Sequence, residues 1–509
     1  MSSQLELTLQ DLSALTHEMG KGGGVLSPSV YDTAQVLRHH PSAHDPQAAI
    51  SWILSKQRPD GGWGDPAVPL GRDVPTLAVV LLLHQRGVAA AEQDSALTFL
   101  RGQAEQWHAP LPMDIPIGVE LILPRLLDEA NAMGLNLPME PYAALTALGD
   151  KRRAMMAKFV PVAGTSAVHS WEAWGITPDP ALIDGAGGLG HSPSATAAWL
   201  GKAAGNPELA EHAARAEQYL RDAADATGTG IPGVVPTVYP IARFEELWLP
   251  YALLIAGLLD DPRLSEAIRP LLDSIEEGLR RGGLGFSDHF DPDGDDTAAG
   301  LAVLIKSGRE VDLASLEHFE SGEHFCTWRH EMAPSLSTTA RAVHALSLGG
   351  HAVEPHQNFL LRHQLPNGRW TADKWNESWL YTTLHAVAAL VDSTVPAHVR
   401  AVQAAVEAVI DSQQNSGGWG FTNGATATET AYAVLTLYAA AEASGNSEVV
   451  DAALDRAYRF MQDACQAGGL EGPACWIGKE TYRPYRVDRA FELIALAALA
   501  VREEARAAS

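Results

Sequence analysis

The chain is predicted to be all-α, built as two helical barrels. Three observations predict this. Alanine-rich segments carry apolar residues at three- and four-residue spacing, as in Leu384, Val387, Ala388 and Val391 or Val434, Leu437, Tyr438 and Ala441. Alternating β-branched runs are scarce. A short unit also recurs: Gln57-Arg58-Pro59-Asp60-Gly61-Gly62-Trp63-Gly64 returns as Gln364 to Trp370 and again as Gln414 to Gly420. In each copy a helix runs through Gln into a tight glycine turn and then a Trp, which suits helix hairpins tied to their neighbours around a toroid. The first copy lies in the N-terminal half and the others in the C-terminal half, so two barrels are the simplest account.

In chain order, the first helix is placed near Leu5 to Met19 and ended by the glycines at 20 and 22 to 24. No basic stretch leads into an apolar run at the start, so no secretory signal is expected. Runs such as Leu77 to Leu83 fall far short of the roughly 20 residues that span a bilayer. The 509 residues are 46% apolar and 19% charged, with a formal charge of -26. That charge argues against nucleic acid or an anionic membrane as a partner, so an anionic substrate needs a local group of Lys and Arg. Cys326, Cys465 and Cys475 have neither metal spacing nor a disulfide framework, which suits the cytoplasm.

The most informative stretch is Gly285 to Ala298, where Asp291, Asp293, Asp295 and Asp296 precede an apolar helix carrying Leu301, Leu304 and Ile305. One reading is a helix cap in an acidic turn. An EF-hand loop fails, because its sixth position is Asp296 rather than Gly and its twelfth is Ala302 rather than Glu. A third reading is chemical: crowded carboxyls cannot all ionise cheaply, so one of them holds a proton as a positioned acid. The helix dipole opposes this, and burial with like-charged neighbours has to overcome it.

Asp293-Gly294-Asp295-Asp296-Thr297-Ala298 resembles the DxDD-T-A element of class II terpene cyclases, and the repeated Gln/Trp units are similar to that superfamily's QW motifs. Further elements follow in the family's order: Tyr31-Asp32-Thr33-Ala34, Gly118 to Pro124, Ser192 to Ala197, Val235 to Pro240, Lys374 to Ser378 with Tyr381, and Trp476-Ile477-Gly478-Lys479. The resemblance is to bacterial copalyl diphosphate synthase-like enzymes. It implies a βγ didomain of (α/α)6-type toroids: residues 1–22 as the first β helix, 23–283 as an inserted γ barrel, and 284–509 as the rest of β, with the active site between the barrels.

The resemblance also implies roles. Asp295 is the general acid that protonates an alkene, oriented by Asp293 and Asp296. Lys479, Lys151 and Arg483 bind the substrate diphosphate. His169 is a candidate terminating base, although the Asn that partners it in ent-type relatives is here Thr237. Thr339 is a candidate hydrogen-bond partner of the acid at a position where many relatives carry Asn. Trp328, Trp375, Tyr381 and Tyr239 are candidates for stabilising cations by their ring faces. Mg²⁺ is expected through the diphosphate, with no metal ligands assigned. The implied reaction folds a linear prenyl diphosphate and closes two rings with the diphosphate retained. Geranylgeranyl diphosphate is the expected substrate and farnesyl diphosphate the alternative. No DDxxD pattern is found for an ionising site, so the product is expected to pass to a separate class I synthase. Readings of another class are an (α/α)-barrel glycosidase using Asp295 and Glu377, and a helical scaffold in which the acidic turn is only a cap.

Overall fold

The computed structural model describes residues 4–40, 46–112, 115–329, 331, 333–371, 373–422, 424–441, 447–466 and 472–508. Helix α1 (Gln4–Glu18) stops at Gly20, whose φ of 78° lies in the left-handed region that glycine tolerates. A first barrel follows. Its helices are α2 (Val30–His39), α3 (Pro46–Ser55), α4 (Asp73–Arg86), α5 (Ala90–Gln103), α6 (Val119–Ala132), α7 (Ala143–Met156), the short α8 (Trp171–Trp174), α9 (Pro193–Ala203) and α10 (Ala210–Asp225). Helices α9, α2, α4 and α6 pack side by side, and α8 closes the ring between α6 and α9. The others lie outside.

The second barrel is a complete double ring. It comprises α11 (Ala242–Ile255), α12 (Ser265–Arg280), α13 (Gly294–Lys306), α14 (Leu336–Leu348), α15 (Glu354–Arg362), α16 (Trp379–Leu390), α17 (Pro396–Asp411), α18 (Ala427–Ala439), α19 (Ser447–Gln466) and α20 (Tyr485–Ala508). The inner ring runs α11–α13–α14–α16–α18–α20 and returns to α11, while α12, α15, α17, α19 and α1 pack around it. The patterning explains the sorting. Helix α12 buries Ile268, Leu271 and Ile275 and exposes Glu266, Arg269 and Arg280, whereas α16 is buried all round from Leu380 to Leu390.

The all-α expectation holds, and α1 does join the second barrel. The boundary expected at 283 is corrected: α11 is an inner helix of the second ring and α12 an outer one, so the chain returns near residue 240. Helix α11 carries no Asp-x-Asp-Asp or Gln/Trp unit, and its apolar stretch from Leu247 to Ile255 fits either barrel.

The repeated unit ties outer helices together. Trp63, Trp370 and Trp419 are fully buried, and their indole N–H groups donate to Ile53, Leu360 and Val409 at the end of the preceding helix. Gln57, Gln364 and Gln413 each donate to the carbonyl four residues on and to a carbonyl of the next outer helix: Glu92, Ala401 and Ala453. In the third copy the working residue is thus Gln413, one place before the Gln414 at which the repeat was begun in the sequence. Several inner helices open on a hydroxyl or carboxylate cap, among them Ser29, Ser192, Asp293, Ser335 and Thr426.

Candidate active site

Asp293 caps α13, its Oδ1 accepting the Asp296 N–H at 2.7 Å. Gly294 is required beside it, because an added Cβ would lie 2.4 Å from the Cys326 carbonyl, and its own N–H donates to the Thr327 carbonyl. The three carboxyls are buried at 3%, 8% and 2% exposure for Asp293, Asp295 and Asp296. Burial, and then the charge of neighbouring carboxylates, pushes Asp293 and Asp296 well above the usual carboxylate range. Oδ2 of Asp296 has no hydrogen-bond partner among the described residues, a poor environment for an anion. At these two positions burial overcomes the helix dipole.

Asp295 is set apart from the other two by its partner. Its oxygens accept from Nε and Nη2 of Arg341 at 2.6 and 2.7 Å, a two-pronged contact between the carboxyl group and the guanidinium. The raised values of Asp293 and Asp296 favour their protonated forms, while Asp295 is the member held by a guanidinium. The partner proposed for the acid is corrected as well. Thr339 donates to the Ser335 carbonyl at 2.7 Å and accepts from the Phe325 N–H, and Arg341, two residues on, faces the acid instead. Arg341 was missed in the sequence. A charged residue on the apolar face of α14, three residues after Thr338, was its one signal.

Aromatic rings surround this group. The Arg341 guanidinium lies 4.7 Å from the centroid of Trp248 and 5.5 Å from that of Tyr381. Trp248 packs on Tyr251, Tyr381, His385, Trp476 and Phe491. Trp328 and Trp375 meet edge to face at 5.2 Å, and Trp375 donates to Thr327, whose carbonyl receives Gly294. Tyr381, Trp328 and Trp375 thus line or adjoin the acid helix. Tyr239 does not: it packs on Tyr219 and donates to the Gly22 carbonyl, a contact between barrels. His385, unassigned in the sequence, has neither ring nitrogen bonded to any described residue and is kept neutral by burial.

A two-stranded hairpin, β1 (Trp476–Ile477) with β2 (Thr481–Tyr482), links this centre to the other barrel. Trp476 packs on Tyr381 at 5.1 Å, while Lys479 at the turn reaches Glu172, Ser192 and Ser194 of the first barrel at 2.7, 2.6 and 2.7 Å. All three ammonium donors are engaged, so the expected open phosphate binder is, in this state, a buried strut. Arg483 is likewise buried, donating to Asp488 and Thr428. Lys151 sits on the exposed face of α7, apart from this network.

His169 lies at the same junction. Its Nδ1 is 2.8 Å from the Gly190 carbonyl, and burial with the charge of Lys479 lowers its pKa to about 3, so it is neutral. Thr237 sits against Gly478, with its hydroxyl unpartnered among the described residues. Among the described residues no three His, Cys, Asp or Glu side chains are grouped to hold a metal ion. The backbone N–H of Glu377, the second acid of the glycosidase reading, donates to the Cys475 carbonyl. No helix among the described residues is long and apolar enough to cross a membrane.

Comparisons with known proteins agree with this geometry. The family model described as the squalene-hopene cyclase C-terminal domain matches residues 333–470. The (+)-kolavenyl diphosphate synthase of Herpetosiphon aurantiacus is 43% identical over 99% of both chains, and the copalyl diphosphate synthase of Streptomyces cyslabdanicus is 31% identical over 94% of this chain and 93% of its own. The solved ent-copalyl diphosphate synthase from Streptomyces platensis superposes with a TM-score of 0.77 at 29% identity, covering 96% of this chain and 99% of that one. With its double-ring barrel, its acidic helix start and these relatives along nearly its whole length, the chain belongs to the class II diterpene cyclases.

Proposed function

We propose that the chain cyclises geranylgeranyl diphosphate to a bicyclic, copalyl- or kolavenyl-type diphosphate by protonating the terminal alkene and leaving the diphosphate in place. The observation that carries this is the buried Asp293–Asp295–Asp296 group, with Asp293 and Asp296 pushed well above the usual carboxylate range, set among aromatic rings of the second barrel. An alkene is a very weak base, so its protonation needs a strong acid in a site that excludes water. Asp295 is the most exposed of the three and hands over the proton, which Asp296 supplies. The carbon–carbon double bond takes that proton, the ring bonds form from successive alkene electron pairs, and the last cation loses a proton. A proton from solvent then restores the acid group.

The rings of Trp248, Tyr381, Trp328 and Trp375 offer π faces to the cations. The Trp476–Tyr482 hairpin lays out the substrate's length, with the alkene at the aspartates and the diphosphate toward Lys479, which exchanges Glu172 for phosphate. His169, neutral and at the same junction, takes the final proton; even a weak base suffices against a carbocation's acidic C–H. Any Mg²⁺ arrives as the diphosphate's counter-ion. A product that keeps its diphosphate suits ionisation by a separate class I synthase.

Purified protein incubated with geranylgeranyl diphosphate, followed by dephosphorylation and mass spectrometry, yields a bicyclic C20 alcohol. Asp295→Asn abolishes it with the fold intact. Turnover of farnesyl diphosphate alone would assign the C15 alternative, and full activity of the Asn variant would overturn the acid.

A further inference from the structure

We propose that Arg341 is a positioning residue for the acid: it fixes the Asp295 carboxyl in the first turn of α13 and balances the charge left there when the proton passes to the alkene. This rests on the reading of Asp295 above. Arg341 is completely buried, on the second turn of α14, with Nε and Nη2 on Asp295 and Nη1 unpartnered among the described residues. A buried ion pair of this kind is seldom a net source of stability, since hydrophobic side chains of equal volume fill such space as well. Its retention at the reacting carboxyl therefore calls for a functional reason.

The chemistry supplies one. Proton transfer to carbon leaves a carboxylate in a dry site, and a preorganised guanidinium stabilises that charge as it develops, without reorganising. The planar fork also holds both oxygens, so the carboxyl cannot rotate away from the substrate. A guanidinium near a nascent carbocation is repulsive. The geometry limits this, because Asp295 neutralises it and the faces of Trp248 and Tyr381 lie against it.

The groups facing the pair are Asp293 and Asp296 on α13, Tyr251 on α11, Tyr381 and His385 on α16, and Tyr482 on the hairpin, with His344 on α14 bonded to Tyr251. Burial holds the three tyrosines protonated and both histidines neutral near pH 7, His344 being lowered to about 4. The alkaline limb of the kcat profile therefore reports the carboxyl group rather than these neighbours.

The test compares Arg341→Gln and Arg341→Lys for kcat, KM, pH profile and thermal stability. We expect the Gln variant to lose about 100-fold in kcat with KM within about 3-fold, as for removal of one preorganised donor. Its alkaline limb should move up by about one pH unit or more, because the charge favouring the carboxylate is gone. The Lys variant, keeping charge without the fork, should recover at least about tenfold over Gln and move the limb part of the way back. Unshifted limbs in the variants, with Lys no better than Gln, would reduce Arg341 to a packing residue and overturn the proposal. If the Gln variant does not fold, a Lys variant with wild-type kcat and limb overturns it equally. Failure of the underlying reading is separate, since it would appear as retained cyclisation in Asp295→Asn.

Discussion

Single residues carry the chemistry, and here the sequence was informative about position but not about charge. The Asp-x-Asp-Asp spacing located the three carboxyls, yet the partner of the middle one, Arg341, lies 46 positions away in the chain and meets Asp295 only once α13 and α14 pack. Lys479 was singled out in the same way, while its three partners all come from the first barrel and no local pattern names them. Replacing Lys479 by Ala is expected to raise KM for the prenyl diphosphate at least about tenfold, the effect of losing one charged contact to phosphate. An unchanged KM with a lowered melting temperature would make Lys479 a strut alone.

Among the elements, the Gln/Trp units were readable because each is local: a glycine turn, an indole bonded ten residues back, and a Gln whose second bond reaches the next outer helix. Trp419→Ala should cost about 3–5 kcal/mol, the usual range for emptying a fully buried indole site, read as a fall in the denaturation midpoint. Cyclisation in the protein that remains folded should be little changed, because Trp419 bonds to Val409 and Thr430, away from the acid. The boundary between barrels was not readable. Helix α11 buries Phe244 and Leu247 through Ile255, a pattern that says it is central without saying to which ring it belongs. Only its packing against α13 and α20 decides that.

At the scale of the whole molecule, two rings meet at a junction crossed by ionisable groups that are largely out of water. Glu492 on α20 is an example inside the second ring: burial raises its pKa to about 7 from an ordinary 4.5. Its protonated form is the one the fold prefers, so its contribution to stability is complete below about pH 4.5, declines as pH rises toward 7, and is absent above. Glu492→Gln should therefore gain stability relative to the native chain across that window and hold a constant difference above it, which melting curves from pH 4.5 to 8.5 would show. The all-α class, the two-barrel plan and the family were legible because they rest on repeats and ordered motifs. The coupling between barrels was not, since it arises from pairs such as Lys479–Glu172 that lie 307 residues apart.

Turnover of geranylgeranyl diphosphate in D₂O tests the central claim most directly, because the acid group exchanges with solvent and delivers its hydrogen to carbon. The account predicts a bicyclic product that keeps its diphosphate and carries one deuterium on the carbon of the former terminal alkene. Release of inorganic diphosphate, or a bicyclic product without deuterium at that carbon, would contradict it.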